Sequence, residues 1–190
     1  GQIVKDTGVD LIMPAASRHL MEVSPQELVE SAQAEYEGPL TGYAAGLLGG
    51  DWERARDVVQ DTFVKLHRQD AELIGGRVKS WLYTVCRNRS IDVLRKENPM
   101  ITSAGEAFEN LNDSEPDPAD RMERKERFEE VLRVLERLPE NQREVIRLKF
   151  QGDLSYKEIA EVTGLSVSNV GFLIHTGIKR LRTLMGVDVA

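Results

Sequence analysis

Few residues in this chain could carry out covalent chemistry. Cys86 is the single cysteine and His19, His67 and His175 are the only histidines, with no spacing that would gather a zinc site. No Ser/His/Asp set, glycine-rich phosphate loop or metal-ligand spacing is visible, so the expectation is a protein that is not an enzyme and needs no cofactor or metal. Charge is the better guide. Between Arg77 and Lys96 there are six basic residues (Arg77, Lys79, Arg87, Arg89, Arg95, Lys96) and one acid, Asp92, a density that repels itself unless a polyanion is present. From Glu97 to Glu130 eleven acids face four bases. The net charge of −7 alone would argue against nucleic-acid binding, but the average conceals a basic block beside an acidic one.

The second feature is "SYKEIAEVTGLSVSNV". Ser155 and Glu158 form a capping box, Gly164 breaks the helix, and Ser166 opens the next one. Ile159, Ala160 and Val162 would pack the first helix, and Leu165, Val167, Val170, Ile174 and Leu181 would hold the second one down. This is a helix-turn-helix pattern, which a plain helical hairpin can imitate.

The elements that must position these residues read as helices throughout. Ser24, Pro25 and Glu27 start a helix that continues past Gly38-Pro39, where a kink is possible, and stops at Gly49-Gly50. Asp51 caps a second helix with a buried stripe of Ala55, Val59, Phe63 and Leu66. A third, from about Val78 to Lys96, has Val78, Trp81, Leu82 and Val85 as its core stripe and exposes Thr84, Asn88, Asp92 and Arg95. Helical patterns resume at Met122, break at Pro139 and Gly152, and end near Met185. No strand pattern or internal repeat is present. The fold class expected is all-α: two small helical domains joined by a flexible acidic linker, the second containing the helix-turn-helix. The boundaries are 1–23 for an N-terminal arm, 24–96 for the first domain, 97–121 for the linker and 122–190 for the second domain. No apolar run could span a bilayer and no secretory pattern opens the chain, which with the lone cysteine predicts a cytoplasmic protein.

Four motifs in this order, "DVVQDTF", "WLYTVCRNRSIDVLR", "LPENQREVIRLKF" and "SYKEIAEVTGLSVSNV", resemble the extracytoplasmic-function (group 4) sigma factors of the sigma-70 family over residues 36–184. The resemblance implies a promoter-specificity subunit that directs core RNA polymerase to promoters and assists melting. Asp57 and Asp61 share a helix face with Gln60, and from spacing alone that face is as easily plain solvated surface. The resemblance makes Asp57, Gln60, Asp61 and Lys65 the core-polymerase contact. It assigns the third helix and the loop 69–77 to the minus-ten element: Arg77, Lys79, Tyr83, Arg87, Asn88, Asp92, Arg95 and Lys96, with Tyr83 rather than core-facing Trp81 the stacking candidate. The implied partners are core RNA polymerase, double-stranded and melted promoter DNA, and an anti-sigma factor, with no membrane and no small-molecule substrate. The alternatives are a free-standing helix-turn-helix regulator, which would not need the "DVVQDTF" face, and a sigma-like interaction module.

One departure stands out. Where the family carries basic residues on the helix after the turn, this chain has Gly171, Leu173 and Thr176. Contact with the minus-thirty-five element then falls to Ser166, Ser168, Asn169, Phe172, Leu173, Lys179 and Arg180, with Lys157, Arg143 and Arg182 as further cations and apolar contact to thymine methyl groups. Phe172 and Leu173 could instead form an apolar patch for a protein partner, or be buried in the core. A DNA contact or a partner patch is favoured over full burial of both.

Overall fold

Ser24 accepts the Glu27 backbone N–H and Glu27 returns a bond to the Ser24 N–H, closing the capping box that starts α1 (Pro25–Leu47). In this computed structural model residues 24–70, 74–100 and 130–187 are described. The expected arm 1–23, residues 101–121 of the linker and residues 122–129 of the second domain lie outside them. Helix α1 continues through Gly38-Pro39 and ends where Gly49 (φ 67°) and Gly50 (φ 86°) turn left-handed, the Gly50 N–H reaching back to the Ala45 carbonyl. Asp51 then accepts the Arg54 N–H and starts α2 (Trp52–His67), which buries Ala55, Val58, Val59, Thr62, Phe63 and Leu66. A 3-10 turn, Gly75–Arg77, leads into α3 (Val78–Glu97).

After helical residues 130–136, Pro139 opens α4 (Glu140–Phe150). Arg143 ties the junction by donating to the carbonyls of Glu136 and Leu138 and to the Glu136 carboxylate. Next come α5 (Tyr156–Thr163) and α6 (Val167–Leu184). No strand occurs among the described residues.

The expected groups of helices are both present, but their cores are not separate. Helix α3 packs on α1 and α2 and also on α5. One apolar cluster therefore runs from Leu40, Tyr43, Phe63 and Leu82 into Val145, Leu148, Leu154, Ile159 and Val170. A smaller cluster joins Leu135, Leu138 and Ile146 with Leu181 and Leu184. Burial on two sides rotates the α3 pattern away from the expected stripe. Its fully buried residues are Ser80, Leu82, Tyr83, Cys86, Ser90, Ile91 and Leu94, while Val78, Trp81 and Val93 are only partly buried. Ser80 and Ser90 tolerate this because their hydroxyls donate to the carbonyls of Arg77 and Cys86.

Gly177 lets α6 close on α4: a Cβ there would sit 2.6 Å from the Ile146 Cδ1 and 3.3 Å from the Gln142 Cβ. Ile146 is itself buried, so making room for a methyl group there requires repacking. Gly177→Ala should therefore lower stability by roughly 1–2 kcal/mol in urea unfolding, overpacking outweighing the better helix propensity. Burial pushes the Cys86 thiol up from 9.0 to about 12 and the Tyr43 hydroxyl well above its usual value. Both protons are held more tightly in the fold than in the unfolded chain, so this stability is present below about pH 9 and is lost as pH rises toward 12. At about pH 8 a thiol reagent should label Cys86 only after denaturant is added.

Candidate nucleic-acid interface

On α2, Asp57, Gln60 and Lys65 are exposed on one face. Asp61, half exposed, is held by Arg89 of α3, whose Nε and Nη2 reach Oδ2 at 3.0 and 2.8 Å. Water screens this pair, so it contributes little stability.

Along α3 the sequence-assigned residues divide. Arg77, Asn88, Asp92, Arg95 and Lys96 are exposed. Lys79 is half-buried and donates to the Asp153 carbonyl, in the turn between α4 and α5. Arg87 makes a bidentate ion pair with Glu144 of α4, Nε to Oε1 at 2.6 Å and Nη2 to Oε2 at 3.1 Å. Tyr83, expected as an exposed stacking platform, is fully buried. Its ring lies 5.3 Å from that of Tyr43, tilted by 60°, and Gly152 covers it so closely that a Cβ there would stand 3.0 Å from the Tyr83 Cζ. The spacing of α3 placed Tyr83 beside the polar strip correctly, but the second helical group covers that side of the strip.

The helix-turn-helix has the expected local chemistry. Ser155 and Glu158 close their capping box, and Gly164 ends α5 at φ 75°, a conformation that a Cβ disfavours. Ser166 accepts the Asn169 N–H to start α6. Val170, Leu173, Ile174 and Gly177 face inward. Ser168, Phe172, His175, Lys179 and Arg182 form the opposite exposed stripe at i, i+4, i+7, i+11 and i+14, with Ser166, Asn169 and Arg180 exposed beside it. Leu173, expected at the DNA surface, is 6 % exposed and belongs to the core, whereas Phe172 is 63 % exposed. Four apolar residues within five positions, Val170 and Phe172 to Ile174, could not all be core; Phe172 projects into solvent. Gly171 lies over the Tyr156 ring, and Thr176 bonds the Gln142 side chain and the Phe172 carbonyl. Arg143 is not available as a further cation, because its guanidinium is spent on Glu136 and two carbonyls.

The junction between the helical groups went unread in the sequence. Glu144, 6 % exposed, also accepts the Tyr43 hydroxyl at 3.0 Å. Burial alone would lower the Arg87 pKa, but the hydrogen bond and charge of Glu144 outweigh it and hold Arg87 above its ordinary value. Arg147 donates to the Gly46 carbonyl at 2.8 Å and to Glu136; burial lowers its pKa and Glu136 opposes that. The available signal was two charged residues, Glu144 and Arg147, embedded among the apolar positions 145, 146 and 148.

Among the described residues no group of His, Cys, Asp and Glu could hold a metal ion, and no helix is long and apolar enough to cross a membrane. The family model for sigma-70 region 2 matches residues 34–99, and that for sigma-70 region 4 matches residues 128–181. The chain is 37% identical over 133 residues to the ECF RNA polymerase sigma factor RpoE of Cereibacter sphaeroides, covering 70% of this chain and 71% of that one. It is 31% identical to the ECF RNA polymerase sigma factor SigM of Bacillus subtilis, covering 70% and 81%. Among solved structures it is similar to CnrH in complex with the cytosolic domain of CnrY, with a TM-score of 0.60 and 23% identity over 92% of this chain and 96% of that one. A helix-turn-helix, a basic helix beside an acidic face and these sequence matches place the chain in the extracytoplasmic-function branch of the sigma-70 family, as a sigma factor for transcription initiation.

Proposed function

We propose that the chain binds core RNA polymerase through Asp57, Gln60, Asp61 and Lys65 of α2 and recognises a bipartite promoter, with no chemistry of its own. The first domain (24–96) reads the minus-ten element and the second (122–190) the minus-thirty-five element. The observation that carries this reading is one chain presenting an exposed acidic face on α2 and an exposed helix-turn-helix stripe on α6. On the minus-ten side, Arg77, Asn88, Asp92, Arg95 and Lys96 lie at the surface, while Lys79, Tyr83 and Arg87 would have to be uncovered to touch DNA. On the minus-thirty-five side Ser166, Ser168, Asn169, Phe172, Lys179 and Arg180 form the contact, and Leu173 supports it from below. An anti-sigma partner is supported by the similarity to CnrH, which was solved with the cytosolic domain of CnrY. The proposed place of action is the cytoplasm, where polymerase and promoter meet.

The deciding experiment is run-off transcription from linear DNA with purified core enzyme, where specific initiation should require this chain. Asp57→Lys should weaken core binding at least ~10-fold with the helical circular dichroism unchanged, since it reverses a charge on an exposed face. Only Lys157, Lys179, Arg180 and Arg182 are exposed cations on α5 and α6. The slope of log affinity against log salt for the upstream duplex should then be no steeper than about −4, and a slope near −8 would refute the assignment. Replacing thymine by uracil one position at a time in that duplex removes a methyl group. At least one position should lose affinity with the wild type and none with Phe172→Ala, because the ring is the apolar group on the exposed stripe.

A further inference from the structure

We propose that His175 is a DNA-contact residue of α6 and that it binds as the imidazolium, giving a backbone phosphate the cation that the middle of this helix otherwise lacks. The inference rests on the reading of α6 as the helix that meets the upstream duplex. From Val170 to Ile178 the chain has no lysine or arginine, and His175 is the one residue of that stretch whose side chain takes up a proton near neutral pH. It is exposed on the outer stripe, one turn beyond Phe172 and one turn before Lys179. At the rise of an α-helix it stands about 10 Å along the axis from Ser168. The first residues of a reading helix meet base edges, and residues farther along leave the groove toward the backbone. Ser168 and Phe172 then face bases, while His175 and Lys179 face phosphate.

The surroundings leave this imidazole to the DNA. Among the described residues its ring has no hydrogen bond or ion pair. On its own helix the charged neighbours are Lys179 and, a turn further, Arg182, both exposed. Helix α4 offers the uncharged Gln142, which bonds the adjacent Thr176. The other charges of α4 are engaged elsewhere, Glu144 with Arg87 and both Arg143 and Arg147 with Glu136, or stand near its two ends, as Glu140 and Lys149 do. Helix α5 meets α6 through Tyr156 at Gly171; Glu158 is held in the capping box, and Lys157 and Glu161 are exposed. A phosphate oxygen beside the ring favours its charged form. The DNA-bound chain therefore takes up a proton, and affinity rises as pH falls through the range in which imidazoles titrate. The linkage is reciprocal: DNA favours the imidazolium by the same factor by which the proton favours DNA.

The test titrates the full chain against the upstream duplex at about pH 8 and about pH 6, over a range of salt. The wild type should bind at least ~3-fold tighter at the lower pH, with a slope of log affinity against log salt steeper by about 0.9, the value of one more neutralised phosphate. His175→Gln should lose both changes, and His175→Lys should show the steeper slope at both pH values. Both exchanges fall on an exposed helical position, and circular dichroism checks that each variant keeps its fold. His67→Gln, which removes the exposed imidazole of α2, should leave the wild-type pH response intact. A pH response that survives in His175→Gln would overturn the proposal, as would wild-type affinity and slope that ignore pH. So would a loss in His175→Gln that is confined to one base pair and equal at both pH values, the mark of a neutral ring on a base edge. Lys179→Glu judges the reading of α6 separately, because it should weaken binding at both pH values. If it does not, that reading and this inference fall together; if it does and the wild type ignores pH, the inference alone falls.

Discussion

A carboxylate removed from water must be met by donors, and Glu144 lies in the middle of α4, where residues 144–148 are all buried. Left alone, that charge would cost several kcal/mol; met by the Arg87 fork and the Tyr43 hydroxyl, it is tolerated in a single position. The apolar contacts of Val145 and Leu148 with the α1–α3 core drive the association but are forgiving of a slide along the helix. The carboxylate is not. Its register sets Arg147 over Gly46, Asp153 over Lys79 and Gly152 over Tyr83, so the remainder of the junction follows from one buried acid.

Helix α3 bears the consequence. It is the wall between the two helical groups and also carries the basic strip, and these uses conflict along one edge. Its small polar residues make this possible. Ser80, Thr84 and Ser90 return their hydroxyls to carbonyls three or four residues back, so they need nothing from the opposite side, whether that side is protein or nucleic acid. Cys86 and Tyr83 are held neutral by burial and contribute volume rather than reactivity. Those three serine and threonine hydroxyls stay paired whichever surface covers the helix.

Local chemistry was legible in the sequence wherever a single residue type decides the outcome. Ser24, Asp51, Ser155 and Ser166 start helices, Gly49-Gly50 and Gly164 stop them, and all act as their side chains, or lack of one, dictate. The stripe of α2 was readable because that helix has one buried face. Reading failed where burial comes from a distant part of the chain. Tyr83 looked like an edge residue because nothing near it in sequence announces Gly152, and Arg87 looked free because its partner lies 57 positions away. Leu173 and Phe172 differ by one step of 100° around α6, which apolarity alone does not resolve, and the packing of α4 and α5 against α6 chose between them.

The thin charge on the upstream-reading helix then has a physical rationale within the proposed role. Non-specific attachment to DNA is almost wholly a matter of phosphate neutralisation, so each cation removed from α6 weakens binding to random sequence as much as to the right one. Contacts of a ring with a base methyl, or of Ser168 and Asn169 with base edges, keep their discrimination without that background. Binding lost at this one helix is recovered when polymerase presents both promoter elements together, because the second contact forms at high effective concentration once the first is made. A net charge of −7 acts in the same direction at long range, where the whole chain is repelled by random DNA and the basic block of α3 is felt only on close approach.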